Sequence, residues 1–233
     1  AGVRVVTTNT FRADPVTVER ARRGKTHLAL ARTAVTLARE AVQAVSPERD
    51  VLVAGYVGPA GDCYQPGRVP EGGALRQHHW RRVWAQVCAG ADLVLVETMN
   101  TVREAVAALE AARAWLTAAV SFLCAPDARL LSGETIHEAV AAVEPFEPLA
   151  ILVNCCAPPV ASQALEALIE STDRPTGIYA NGRGRPDDEL GWRFEGGTSD
   201  RDYVREARHW LDMGARLIGG CCGTSPRTIQ KLA

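Results

Sequence analysis

Leu217-Ile218-Gly219-Gly220-Cys221-Cys222-Gly223-Thr224 is a short apolar run that stops on two glycines and opens into two adjacent cysteines. Adjacent residues of a regular strand point to opposite faces. Both thiols can therefore reach one point only if the backbone turns there, and the flanking glycines permit that turn. A second apolar run, Ala150-Ile151-Leu152-Val153-Asn154, ends in the same way on Cys155. Three thiolates converging from two strand ends would form an open zinc site, with the fourth position left for a substrate.

Outward from these two runs the chain keeps one rhythm. Strand candidates are Val3–Thr8, Val51–Val57, Leu93–Glu97, Ala119–Leu123, Ala150–Asn154, Thr176–Ala180 and Arg216–Gly219. Helical patterns lie between them at Val16–Val45, Leu75–Ala89, Val102–Leu116, Ile136–Val143, Pro159–Glu170 and Asp202–Met213, the first of them divisible at Gly24. Alternation of this kind signals a parallel sheet with helical crossovers. The strand runs are apolar with little alternation, as when helices cover both faces. Seven strands suit an α/β fold of the (β/α)8 TIM-barrel type whose first β/α unit is absent from this sequence; an open doubly wound sheet is the alternative. The expectation is one barrel domain over residues 1–233, incomplete at its N-terminal side. Two long Gly/Pro-rich stretches, 58–73 and 181–199, follow strand C-termini, the side on which barrel enzymes carry their sites.

Composition narrows the class. The 233 residues are 47% hydrophobic and 23% charged, enough for one well-buried core. A net charge of -1 leaves no electrostatic footprint for nucleic acid or an acidic membrane surface. No run approaches the length needed to span a bilayer. The cysteine count is odd, 7, and includes the adjacent pairs Cys155-Cys156 and Cys221-Cys222, which suits a reducing, cytoplasmic setting better than a disulfide framework.

Each candidate site residue has a plainer reading beside the chemical one. Free cysteines are mostly small buried hydrophobes; the glycine frame around Cys221-Cys222 favours soft-metal ligation, which selects zinc over hard cations. Cys156 points away from Cys155 and reads as structural, and Cys63, Cys88 and Cys124 as inert. Glu97, closing Leu93-Val94-Leu95-Val96, could hold a substrate ammonium or be a solvated strand-end carboxylate. Asn9 could orient substrate or close a turn, and Tyr179 and Asn181 sit likewise at a strand end. Asn154 is a candidate donor beside Cys155. His78-His79 lies in a helical pattern and reads as surface, and the tryptophans read as core packing.

Taken together, Gly219-Gly220-Cys221-Cys222-Gly223-Thr224 and Val153-Asn154-Cys155 resemble the zinc signature of the homocysteine S-methyltransferase family. Thr8-Asn9-Thr10-Phe11, Val53-Ala54-Gly55 with Gly58-Pro59, Val96-Glu97-Thr98 and Tyr179-Ala180-Asn181 add agreement in the family's order. The family's Asp-Gly-Gly-type motif has no counterpart here, and Ala180 stands in place of a common proline. The resemblance implies a (β/α)8 barrel in which Cys155, Cys221 and Cys222 bind Zn2+ and Glu97 holds the amino-acid end of homocysteine. Asn9, Phe11, Tyr179 and Asn181 join Glu97 as substrate-binding candidates, with Asn154, Gly219 and Gly220 as supports of the metal ligands. It further implies methyl transfer from S-methylmethionine or S-adenosylmethionine to homocysteine, giving methionine. The rival readings are a thiol-redox protein using Cys221-Cys222 and a non-catalytic amino-acid-binding barrel.

Overall fold

The seven apolar runs form one parallel sheet in a computed structural model that describes residues 2–232 apart from residues 22, 23, 25, 46, 49 and 188–190. The order along the chain is β1 (Val5–Thr7), α1 (Pro15–Ala21), α2 (His27–Val45), β2 (Leu52–Val57), α3 (Gly72–Ala89), β3 (Leu93–Met99) and α4 (Val102–Arg113). It continues through β4 (Ala118–Phe122), α5 (Ile136–Val143), β5 (Ile151–Asn154), α6 (Pro158–Ser171) and β6 (Thr176–Tyr179). The hairpin β7 (Arg183–Asp187) and β8 (Gly191–Gly197) follows, then α7 (Asp200–Met213), β9 (Leu217–Ile218) and α8 (Pro226–Leu232).

Each sheet strand pairs in parallel with the next one along the chain, in the order β1-β2-β3-β4-β5-β6-β9. A doubly wound sheet reverses its order partway across. Strictly sequential order is the winding of a barrel, so the doubly wound alternative falls away.

Strand parity then sorts the side chains. Val94, Val96, Val120, Phe122, Ile151 and Val153 face the helices and build the large outer core. The intervening residues Ala54, Leu93, Leu95, Ala119, Ala150 and Leu152 pack together on the other face, joined by Tyr179 and Leu217. One step further along the strands, the same inward parity delivers Tyr56, Glu97, Ser121, Asn154, Tyr179 and Gly219. The inner face therefore changes from apolar to polar towards the strand C-termini, and the thiols lie at that polar end.

Three expectations are corrected. Residues 181–199 contain the antiparallel pair β7–β8 and are not a plain loop; Pro186 and the glycines hide the strand pattern. His78 and His79 are buried, at 9% and 0% exposure, because α3 is covered on one flank by the 58–73 segment as well as by the sheet. The tryptophans do not all fill the core. Trp210 does, but Trp80 and Trp115 are exposed and join Trp84 in a surface cluster with ring centroids 5.9 and 4.7 Å apart. The 16–45 pattern is divided as expected into α1 and α2, on either side of Gly24.

Candidate metal centre and its rim

Cys155 follows directly on β5 with φ of 59°. That left-handed conformation is unusual for a residue with a Cβ and costs on the order of 1 kcal/mol or more. It turns the chain sharply at the strand end and sends the sulfur across the mouth of the sheet. The fold holds this turn from three sides. The Cys155 amide donates to the Tyr179 carbonyl at 3.3 Å, the Asn181 amide donates to the Cys156 carbonyl at 2.9 Å, and Asn181 Nδ2 donates to the Cys155 carbonyl at 2.9 Å.

The Cys221-Cys222 turn is fixed in the same way. The Cys221 amide donates to the Ala180 carbonyl at 3.0 Å, and Thr224 Oγ1 donates to the Cys221 carbonyl at 2.7 Å. Gly220 makes room for that hydroxyl, since a Cβ on it would lie 2.6 Å from Thr224 Oγ1. Gly223, at φ 73°, is needed on both conformation and space, because its Cβ would fall 1.9 Å from the Arg183 carbonyl oxygen. Tyr203 on α7 is wholly buried and its hydroxyl bridges the Ala180 carbonyl (3.0 Å) and the Gly219 carbonyl (2.9 Å), tying the end of β6 and the Cys221-Cys222 segment to one helix. Tyr203→Phe removes that hydroxyl from the Gly219 carbonyl and leaves the Ala180 carbonyl with the Cys221 amide alone, so denaturant unfolding is expected to show a loss of about 1–3 kcal/mol.

The result is a cluster in which the Sγ atoms of Cys155, Cys221 and Cys222 all lie within 4.8 Å of one another, Cys155 and Cys222 at 3.9 Å. Zinc–sulfur bonds of about 2.3 Å in tetrahedral geometry put neighbouring sulfurs ~3.8 Å apart, so the three thiols fit a zinc ion. No other set of three His, Cys, Asp or Glu side chains among the described residues is spaced to hold a metal. The thiols already share charge. Hydrogen bonds from Cys155 and then Cys221 pull Cys222 below its ordinary value. Cys221 is held well above its ordinary value by its hydrogen bond to Cys155, then by Cys222 and burial. For Cys155 the hydrogen bond with Cys221 works downward, and the one with Cys222 together with burial outweighs it.

Asn154, fully buried, accepts from Ser121 Oγ at 2.6 Å and donates from Nδ2 to Thr98 Oγ1 at 2.8 Å, with Cys221 Sγ 4.0 Å from the same nitrogen. Thr98, like Cys155, has a left-handed backbone at φ 63°, where β3 shifts register against β4. Glu97, just before this turn, faces inward on the parity of Leu93 and Leu95. Burial pushes the Glu97 carboxyl up to about 7, with the nearby Tyr179 hydroxyl opposing the rise and the Cys222 charge adding to it. The Tyr179 hydroxyl is itself buried beside that carboxylate. The structure thus gathers Cys155, Cys221, Cys222, Asn154, Glu97, Tyr179, Asn181, Gly219 and Gly220 at one end of the sheet. Phe11 lies one layer out, edge-on to Tyr56 with centroids 5.9 Å apart, and Asn9 is exposed.

Two aromatic residues escaped the sequence reading. Tyr64, from the 58–73 segment, brings its hydroxyl to 3.5 Å from Cys155 Sγ. Tyr56 lies on the inner face with its hydroxyl buried and without a hydrogen-bond partner in the protein. Strand parity at the end of β2 could have indicated Tyr56; nothing local marks Tyr64.

Against known proteins, residues 1–233 match the family model described as homocysteine S-methyltransferase. Among curated relatives, the selenocysteine Se-methyltransferase of Brassica oleracea is 30% identical over 79% of this chain and 57% of its own length. Homocysteine S-methyltransferase 2 of Arabidopsis thaliana is 31% identical over 79% of this chain and 60% of its own. The chain thus spans somewhat under two thirds of the length of these relatives. The metallated crystal form of the homocysteine methyltransferase MmuM from Escherichia coli superposes with a TM-score of 0.80 at 31% identity, covering 99% of this chain and 79% of that one.

Proposed function

Because the chain belongs to the homocysteine S-methyltransferase family, we propose that it transfers a methyl group from a sulfonium donor, S-methylmethionine or S-adenosylmethionine, to the thiol of homocysteine, giving methionine. The observation that carries this reading is the three-thiol cluster of Cys155, Cys221 and Cys222, spaced for zinc and open at the mouth of the sheet. Zinc, when bound there, supplies the charge that keeps a substrate thiol ionised near neutral pH.

The chain's own residues do the rest by position. Asn154, Asn181 and Tyr203 hold the two thiol-bearing turns, so the sulfurs need little reorganisation. Glu97 faces inward beside the cluster, where its carboxylate can pair with the substrate ammonium; the arriving cation offsets the desolvation that raises its pKa. Tyr179, Asn181, Phe11 and Asn9 serve as further substrate contacts. The homocysteine sulfur then supplies the electron pair for the new S–CH3 bond, while the old bond returns its pair to the donor sulfur. That sulfur leaves as a neutral thioether, so no general acid is required, and alignment of donor and acceptor carries much of the rate.

Neither the redox reading of Cys221-Cys222 nor a non-catalytic barrel is favoured by the relatives. The deciding assay offers zinc-loaded protein homocysteine with S-methylmethionine, S-adenosylmethionine or betaine, and selenocysteine as a second acceptor. Methionine is expected with the sulfonium donors and not with betaine. A protein that takes up no zinc, or zinc-loaded protein that forms no methionine with any donor, would overturn the proposal.

A further inference from the structure

Tyr64 reaches the thiols on a strand-to-helix segment, and the groups that hold this segment are buried charges outside the thiol cluster. Arg82 on α3, 5% exposed, donates from one nitrogen to the carbonyls of Gly58 (2.8 Å) and Pro59 (3.1 Å). Glu104 on α4, fully buried, accepts the Ala60 amide at 2.6 Å on the same oxygen that meets His79 Nε2 at 3.0 Å. Burial holds His79 below its ordinary pKa against the pull of Glu104. Asn100 Nδ2 donates to the Cys63 carbonyl at 2.7 Å. The segment also runs as close to the inner face as a glycine allows, since a Cβ on Gly58 would lie 1.8 Å from the Tyr56 hydroxyl.

Burying a carboxylate and a guanidinium is a poor way to gain stability, because desolvation offsets much of their attraction. Here both are aimed at backbone groups of three consecutive residues, Gly58, Pro59 and Ala60, just before Tyr64. We infer that Arg82 and the Glu104–His79 pair are positioning residues for Tyr64, holding segment 58–64 so that its hydroxyl stays on the Cys155 sulfur. A phenol that donates there draws charge from one ligand sulfur and covers that side of the cluster, leaving the substrate the other.

The inference rests on the thiol cluster as the reacting centre, but its test reads thiol access alone. A protein that fails to methylate homocysteine can therefore still pass it. Chelator-treated protein is pulsed with iodoacetamide so that each molecule takes at most one hit, and tandem mass spectrometry assigns the hits. Tyr64→Phe and Glu104→Ala are each expected to raise the share on Cys155 roughly fivefold, the factor for one lost hydrogen bond. The double variant should match either single, since both act through one contact. Glu104→Gln keeps an acceptor for the Ala60 amide and is expected to stay within about twofold of the parent. If Glu104→Ala fails to fold, Arg82→Lys replaces it, with the same rise expected. An unchanged Cys155 share, an equal rise at the buried controls Cys124 and Cys156, or a multiplicative double variant would overturn the inference.

Discussion

Cys221→Ala is expected to leave the protein without zinc after dialysis and to lower methionine formation at least ~10³-fold, roughly 4 kcal/mol of transition-state stabilisation. Two thiols remain, but they sit on different turns, and the substitution also removes the sulfur nearest Asn154 Nδ2. An ion with two protein ligands must take two more from water, so it is held weakly and in no fixed direction. Metal analysis and kcat should fall together. Cys156→Ala is the matched control, since Cys156 is buried in the outer core beside Cys155 and outside the thiol cluster. It should cost stability while zinc stays at one equivalent. A Cys221→Ala protein that keeps its zinc or its turnover would remove the centre assigned to these thiols.

Glu97→Gln carries the second large effect. The carboxylate is the acidic group that strand parity places on the inner face beside the cluster, and an ammonium that loses a desolvated partner forfeits about 2 kcal/mol or more. The KM for homocysteine should rise at least ~30-fold with zinc content unchanged, which separates this role from metal binding. The same variant has a stability signature of definite sign. Burial raises the Glu97 carboxyl to about 7, so the metal-free fold favours its protonated form. That contribution is complete below the ordinary carboxylate pKa and is lost as pH rises through about 7. Glutamine carries no such burden, so at pH 8 metal-free Glu97→Gln should unfold later than the parent, by roughly 2 kcal/mol after allowance for partial exposure at the rim. Denaturant titrations at pH 5 and pH 8 check this; an equal or larger deficit at pH 8 would contradict the burial of the charge.

The barrel winding was legible because buried parallel strands are written as β-branched runs, and Val94-Leu95-Val96 or Ile151-Leu152-Val153 fit little else. The thiols were legible because paired cysteines between glycines have few structural uses. What escaped notice depends on closure in three dimensions. His79 and Arg82 look like the polar face of a helix until segment 58–64 folds over them, and nothing near Glu104 announces an amide 44 residues earlier in the chain. Tyr64 belongs to a stretch with no period at all. The hairpin β7–β8 was hidden for a related reason: its pairing is anchored by backbone contacts to the thiol loop, while Gly184, Pro186 and Gly196 break the alternation that would mark a strand.

That hairpin bears on how such a protein can change over generations. The Gly182 amide donates to the Cys222 carbonyl at 2.8 Å and the Arg183 amide to the Gly223 carbonyl at 3.1 Å, so the hairpin's base and the sulfur-bearing turn are stitched together main chain to main chain. A Cβ on Gly182 would lie 2.8 Å from the Gly223 carbonyl oxygen, which leaves drift in sequence almost no room at the stitch. On β8 the side chain of Phe194 is 70% exposed, so the outer face of the hairpin carries no such restriction at that position. Lineages can therefore rewrite the exposed face around Phe194 while the stitched base keeps the cysteines in register.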